Sequence, residues 1–162
     1  MLRLSKKTDY ALIALTDLAS GPQVASSSAR EIAARHKIPV ELMAKVLQRL
    51  AKYELLASHQ GIHGGYHLAR PATRISVADV IEAIDGPVIL TACSDADESC
   101  KQYSTCNVRD PLWRLKARIV QTLTEYTIEE LARDELPTPL PLEAGRQQAM
   151  WVAPTRTLVA DH

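Results

Sequence analysis

The stretch SAREIAARHKIPVELMAKVLQRL, residues 28–50, decides the fold because it predicts two short helices joined by a tight turn. Ser28 followed by Glu31 is a capping-box pattern, which indicates that a helix begins there. HKIP, residues 36–39, is typical of a turn. In the second helix the apolar residues recur at helical spacing and share one face: Leu42, Met43, Val46, Leu47 and Leu50. Two helices connected in this way predict a helix-turn-helix.

The flanks of this stretch complete a winged helix. KKTDYALIALTDLAS, residues 6–20, predicts a first helix that ends at Gly21-Pro22. ASHQGIHGGYHLAR, residues 57–70, alternates around a glycine-rich centre and therefore predicts a β-hairpin. A hairpin directly after a helix-turn-helix is the wing of a winged helix-turn-helix.

Two further helices are predicted towards the C-terminus. Ser76 caps the first of them, whose inward residues are Val77, Val80, Ile81 and Ile84. Asp110 at the N-cap and Pro111 at the first helical position open the second. Its apolar stripe spans about five turns: Val108, Leu112, Leu115, Ile119, Leu123 and Tyr126. A stripe of this length needs a partner surface, which favours a homodimer; packing against the helix's own domain is the alternative.

These patterns predict a mainly α fold, a winged helix-turn-helix with a long C-terminal dimerisation helix. We divide the chain into four regions. Residues 1–75 form the DNA-binding domain, and residues 76–107 form a linking helix and a loop that holds the cysteines. Residues 108–136 form the dimerisation helix. Residues 137–162 gain prolines and lose periodicity, which predicts a largely disordered tail.

Charge is distributed unevenly along a chain whose net charge is zero. Residues 1–75 hold 11 Lys and Arg against 5 Asp and Glu, whereas residues 76–162 hold 8 against 14. A basic half favours a polyanionic partner, and an uneven but unspecific surface charge is the alternative. No apolar run reaches the roughly 18 residues that cross a bilayer, and charged residues interrupt the N-terminus where a secretory signal would lie. We therefore expect a cytoplasmic protein without a membrane partner.

The cysteines are concentrated in one short segment. Cys93, Cys100 and Cys106 lie within 14 residues, and the other 148 residues contain none. In a reducing cytosol, clustered thiols more often bind metal or sense redox state than form structural disulfides. Their spacing is wider than the C-x-x-C pairs of common zinc sites and suits a loop around a larger polynuclear cofactor. From these residues alone an iron–sulfur cluster, a stabilising zinc ion and a redox switch all remain open.

Several motifs together resemble the IscR/NsrR/RirA-type transcription regulators. They are LSKKTDYAL, GIHGGYHLARP, ISVADVIEAIDGP, the three cysteines that follow, and VRDPLWRLKARI. The resemblance covers about residues 1–135 and implies a dimeric winged-helix protein that binds a double-stranded DNA operator and carries an iron–sulfur cluster. Within the family, MLRLSKKTDYAL and the segment after the third cysteine look most like the regulators of the SUF iron–sulfur assembly operon.

The resemblance also implies the cluster ligands. Cys93, Cys100 and Cys106 match the three family thiolates. Some members use a histidine three residues after the third cysteine, but Arg109 stands there and cannot ligate a metal. Other members use a carboxylate that crosses from the first helix of the partner subunit, and Asp9 matches it. Three thiolates and one carboxylate resemble the [4Fe-4S] members more than the [2Fe-2S] members.

Two alternatives to Asp9 as the fourth ligand stay open. Asp9 itself can be a solvated carboxylate that the helix dipole stabilises at the first turn. The cysteine loop also carries carboxylates of its own, Asp95, Asp97 and Glu98, which are rival ligands.

The DNA-contacting residues follow from the helix-turn-helix and from the resemblance. The family reads bases with the positions of Pro39, Glu41, Ala44 and Lys45, and Gln48 and Arg49 lie on the same exposed side of the predicted helix. At the wing tip Gln60 replaces a family arginine, and His63, with His59, can compensate for it. The candidate phosphate contacts are Arg3, Lys6, Lys7 and Arg30. For each single charge, an ordinary solvated side chain is the alternative.

The predicted function is an iron–sulfur cluster-sensing, DNA-binding transcription regulator, a repressor of iron–sulfur assembly (SUF) or of iron and redox-stress genes. A nitric-oxide-responsive repressor of the same family and a zinc-stabilised DNA-binding module without sensing are the alternatives. An enzyme such as a thiol oxidoreductase lacks support in the sequence. No C-x-x-C pair, phosphate-binding glycine loop or Ser/His/Asp arrangement occurs, so we predict that the protein is not an enzyme.

Overall fold

Helices dominate the chain, with one small antiparallel sheet between them. A computed structural model describes residues 3–21, 26–59, 61, 64–90, 101–102 and 105–133. In these residues the elements are α1 (Lys6–Ser20), α2 (Ala29–His36), α3 (Val40–Lys52), β1 (Leu56–His59), β2 (Gly65–Leu68), a 3₁₀ turn (Ala72–Arg74), α4 (Val77–Asp85), α5 (Arg109–Glu125) and α6 (Ile128–Ala132). The predicted mainly α, winged helix-turn-helix fold is confirmed. The predicted tail at 137–162 lies outside the described residues.

The helix-turn-helix forms through local hydrogen bonds. The Ser28 hydroxyl accepts from the Glu31 backbone N–H at 3.3 Å, and the Glu31 carboxylate accepts from the Ser28 N–H at 2.7 Å, which is the predicted capping box. At the other end of α2, Lys37 adopts a left-handed conformation with φ 53°. This single residue reverses the chain direction, so α3 begins three residues later at an angle to α2.

The core lies where α1, α3 and α4 meet. α1 buries Ala11, Ala14, Leu15 and Leu18, and its two small alanines let the neighbouring helices approach closely. α3 buries Met43, Val46, Leu47 and Leu50. Leu42, predicted to lie inward with them, is instead 37% exposed. It sits at the edge of the apolar stripe, where helical spacing alone does not separate buried from exposed.

The wing is a two-stranded antiparallel ribbon in the predicted place. Leu56 pairs with Leu68 and His59 with Gly65. Ser27, before α2, adds an isolated bridge to Tyr66, which ties the wing to the helix-turn-helix. A Cβ at Gly65 would lie 2.7 Å from the Ser27 carbonyl carbon, so this close approach requires glycine. The wing tip, with Gln60 and His63, lies outside the described residues.

α4 forms as predicted. The Ser76 hydroxyl accepts from the Asp79 N–H at 3.1 Å, and the Asp79 carboxylate accepts from the Ser76 N–H at 2.9 Å. The inward side chains are Val77, Val80, Ile81 and Ile84, all 7% exposed or less. Through this face α4 packs against α1 and α3.

The start of α5 differs from the prediction. The helix begins at Arg109, and Val108 stands at the N-cap without a side-chain hydrogen bond. Asp110 is already helical, and its carboxylate accepts from Arg109 Nε at 2.7 Å instead of capping the backbone. The predicted N-cap at Asp110, with Pro111 as the first helical residue, is therefore wrong; Pro111 lies within the first turn, where its missing N–H costs nothing.

After α5 the chain returns to the winged helix. The Val77 N–H donates to the Tyr126 carbonyl and the Ile128 N–H to the Ile75 carbonyl, both at 2.8 Å. α6 then packs against α1, with Ile128 fully buried. The four-region division of the chain stays a prediction, but α6 shares its core with the first region. None of the helices in the described part of the chain is long and apolar enough to cross a membrane.

Candidate DNA-binding surface and metal-ligating residues

The solvent face of α3 brings most of the predicted base-reading residues together. Its core-facing residues are Met43 and Leu47, and the opposite side is open to solvent. On that open side Glu41, Lys45 and Gln48 are exposed, Ala44 is half-buried, and Pro39 is exposed at the N-cap. Polar groups of both signs on the outer face of the second helix of a helix-turn-helix are suited to reading base edges in a major groove.

Arg49 is also exposed but has partners outside this group. Its Nε donates to the Ala83 carbonyl of α4 at 2.6 Å, and its guanidinium lies 5.8 Å from the centre of the Tyr53 ring. Arg49 nevertheless remains exposed, so its predicted DNA contact stays a prediction. The contact with α4 gives the side chain a structural partner that sequence reasoning missed.

The candidate phosphate contacts are available at the surface. Arg3, Lys6 and Arg30 are exposed, as is Lys45 on α3. Within the described residues none of these four forms an ion pair. Charges that are not neutralised by the protein itself can pair with phosphates.

Arg35 and His36, by contrast, are engaged inside the domain. Asp17 on α1 accepts from Arg35 Nε and pairs with His36 Nε2, each at 3.0 Å. Burial raises the pKa of Asp17, but the hydrogen bonds from Arg35 and His36 together lower it by more. The pKa of Asp17 therefore lies below its ordinary value. This cluster ties α2 to α1. His36, in the predicted turn, thus has a hydrogen-bonding partner on α1.

Asp17→Asn is expected to destabilise the fold by about 1–3 kcal/mol at neutral pH, since charge-assisted hydrogen bonds to a 14% exposed carboxylate are lost. Because the pKa of Asp17 is lower in the folded state than its unfolded value of about 3.9, the contribution is fully present above that pH. It is lost as the pH falls through the folded-state pKa. Urea unfolding followed by circular dichroism at several pH values measures the difference.

Glu82→Gln, which neutralises an exposed carboxylate on α4, is the matched control and should change the free energy of unfolding little. A deficit of Asp17→Asn that stays the same at pH 7 and well below pH 4 would show that the ion pairs are not its source.

Two predicted metal ligands fall on described residues. Cys106 is half-buried, three residues before α5 begins. Asp9 lies in the first turn of α1 with its side chain exposed. Cys93 and Cys100 lie outside the described residues, and so do the rival carboxylates in 95–98. Within the described ranges no group of three or more His, Cys, Asp and Glu side chains comes together, so the ligand set stays a prediction.

Arg109 has partners of its own. Its Nε donates to Asp110 at 2.7 Å, and its guanidinium lies 6.0 Å from the centre of the Trp113 ring. The position of the family histidine is therefore occupied by a cation that contacts two other residues of α5.

A second contact missed from the sequence joins the start of α1 to the end of α4. Asp85 Oδ2 accepts from the Ser5 backbone N–H at 3.1 Å and from Thr8 Oγ1 at 2.7 Å. Thr8 is fully buried and precedes Asp9. Burial raises the pKa of Asp85, but the hydrogen bonds from Ser5 and Thr8 lower it more. Its partners are 77 and 80 residues away, so no local pattern could have revealed them.

Comparison with known proteins adds to this geometry. The family Rrf2, described as an iron-dependent transcriptional regulator, matches residues 4–134. The HTH-type transcriptional regulator IscR of Xenorhabdus nematophila is 36% identical over 135 residues, 83% of this chain and 81% of that protein. The regulator NsrR of Oceanobacillus iheyensis is 32% identical over 137 residues, 83% of this chain and 92% of that protein. The structure of T. potens IscR superimposes with a TM-score of 0.63 at 26% identity, covering 82% of this chain and 88% of that one.

Proposed function

Since the chain belongs to the Rrf2 family and is therefore a DNA-binding transcriptional regulator and not an enzyme, we propose that it senses an iron–sulfur cluster. The predicted resemblance to IscR- and NsrR-type regulators is confirmed by these relatives. The observation that carries the proposal is the concentration of all three cysteines within 14 residues between α4 and α5. Thiolate sulfur is the donor that cluster iron prefers.

Cys93, Cys100 and Cys106 would hold the cluster. Their chemistry fits, because three thiolates in one segment leave one coordination position for a weaker donor. Asp9 of a second copy would supply that donor, and its exposed carboxylate at the start of α1 is accessible to a partner. This set favours [4Fe-4S] over [2Fe-2S]. When bound, the cluster supplies an iron that oxygen, nitric oxide or iron scarcity can remove. A nitric-oxide-responsive repressor and a zinc-stabilised module are the alternative readings.

The homodimer is supported by α5. No residue of this helix is fully buried within one chain, and Val108 and Leu115, at and near its start, are 52% and 47% exposed. Their stripe continues through Leu112, Ile119, Leu123 and Tyr126, which are half-buried. A second α5 packed against this stripe would cover it and place two copies of α3 about a two-fold axis.

The dimer would act on a two-fold related operator in the cytoplasm. α3 of each copy would enter a major groove, and the wing tip with Gln60 and His63 would approach the adjacent minor groove. By resemblance, its targets would be iron–sulfur assembly (SUF) genes or iron and redox-stress genes.

The visible absorption spectrum of anaerobically purified protein, with iron and sulfide analysis, tests the sensing function. A broad iron–sulfur chromophore with matching iron and sulfide supports it. A colourless protein that contains zinc would contradict the proposal and support the alternative, a zinc-stabilised DNA-binding module without sensing. Exposing the loaded protein separately to oxygen, nitric oxide and a chelator then identifies the signal.

Lys45→Ala is expected to weaken operator binding and to relax base preference, because Lys45 is exposed on the face of α3 that we propose reads base edges. A specific base contact of this kind is worth about 1–3 kcal/mol. Affinities are measured on the operator and on random DNA over a range of salt concentrations, and wild-type affinity should fall steeply with salt. An equal loss on both DNAs would instead assign Lys45 to a phosphate.

A further inference from the structure

α4 connects α1 and α3 of the winged helix with α5, the helix of the proposed dimer interface. α4 packs against α5 and also against α1 and α3. Its last turn ends at Asp85, and Gly86 follows with φ 88°. Two side-chain contacts concentrate there, one to α3 and one to α1.

The contact to α3 satisfies a helix end. Ala83 is among the last four residues of α4, whose carbonyls have no partner within the helix, and it is fully buried. Arg49 Nε donates to this carbonyl at 2.6 Å. The cation also lies at the negative end of the α4 dipole. The Tyr53 ring, 5.8 Å from the guanidinium, lies beside the same side chain, one turn further along the chain.

The contact to α1 has the opposite charge and involves the opposite end of a helix. Asp85 accepts from Ser5, the N-cap of α1, and from the buried Thr8 hydroxyl. A carboxylate is thus held at the positive end of the α1 dipole. Removing the Asp85 carboxylate would leave the buried Thr8 hydroxyl without this acceptor, which favours this orientation of α1 against α4.

We propose that the last turn of α4 positions α3 relative to α5, and so sets the half-site spacing that the dimer accepts, with Arg49 and Asp85 as positioning residues. The inference rests on the proposed DNA-binding homodimer. The two copies of α3 reach half-sites about one helical turn, roughly 10 bp, apart or a multiple of it. Because α3 is connected to α5 through α4, a small rotation at this turn changes the distance between the two reading helices.

The experiment measures affinity for a series of operators whose half-sites are moved together or apart by single base pairs. Arg49→Ala, Asp85→Asn and Thr8→Val are compared with wild type. Wild type should prefer one spacing. Each variant should reduce that preference by roughly tenfold or more, the factor that corresponds to one hydrogen bond with a charged partner. Circular dichroism and sedimentation establish that each variant is folded and dimeric.

Lys52→Ala is the matched control, since Lys52 is an exposed cation on the last turn of α3. It should lower affinity equally at every spacing if it meets phosphate. Asp85→Asn and Thr8→Val separate positioning from direct contact, because an aspartate or a buried threonine does not bind phosphate.

An equal loss at all spacings for Arg49→Ala, with unchanged preference in Asp85→Asn and Thr8→Val, overturns the inference and returns Arg49 to the DNA-contacting group. Those outcomes would leave the dimeric DNA-binding regulator intact. A wild-type protein that is monomeric or does not bind DNA would overturn the proposed function and the inference with it.

Discussion

Cys106→Ser is expected to abolish or greatly weaken retention of the iron–sulfur cluster. A serine hydroxyl is a harder and far less acidic donor than a thiol, so the proposed cluster would lose one of its three thiolate ligands. The chain has no fourth cysteine to replace it. Cys106 is half-buried immediately before α5, so the isosteric change should leave the fold intact. The expected result is loss of the visible chromophore and of most of the bound iron.

Cys93→Ser and Cys100→Ser should behave in the same way. Full chromophore and iron content in any one of the three variants would remove that residue from the ligand set. Asp9→Ala leaves three thiolates and should therefore retain a cluster that oxygen destroys faster. A heterodimer of a wild-type chain with a chain that lacks Asp9 and all three cysteines tests ligation across subunits. Its single cluster should be as labile as that of Asp9→Ala, and wild-type stability would refute the crossing.

Leu115→Glu is expected to convert the protein to a monomer at micromolar concentration and to remove operator binding. Leu115 is 47% exposed in the single chain and lies on the α5 stripe that the proposed dimer covers. An unpaired charge buried in such an interface costs about 3–5 kcal/mol, and two-fold symmetry places one in each copy. Dimer affinity should therefore fall by more than roughly a hundredfold, as sedimentation measures.

Ala117→Glu is the control for this change. Ala117 is exposed and lies about 200° around the helix from Leu115, so the same charge should remain in solvent. Dimerisation of Leu115→Glu at wild-type affinity would place the interface elsewhere. Monomeric behaviour of both variants would point to damage to α5 itself.

Features controlled by neighbouring residues could be predicted from the sequence. The capping boxes at Ser28 and Ser76 and the hairpin of β1 and β2 all rest on hydrogen bonds that short sequence patterns predict. The cysteine segment could also be identified from the sequence, because it is defined by composition and spacing alone. These signals were sufficient to predict the winged helix-turn-helix fold.

Other features were decided only by tertiary packing. Arg49 looked like a DNA contact because it shares the polar side of α3, yet an unsatisfied carbonyl of α4 lies within its reach. The start of α5 differs from the prediction through a local contact instead, because the Asp110 carboxylate accepts from its neighbour Arg109 and does not cap the backbone.

α6 was not predicted because burial of Ile128 depends on packing of the helix against α1. The hydrogen bond of Asp85 was not predicted because its partner Thr8 lies 77 residues away. A local pattern records which hydrogen bonds a segment can satisfy by itself. The partners of a buried or half-buried polar group depend on which distant surfaces the packed core brings beside it.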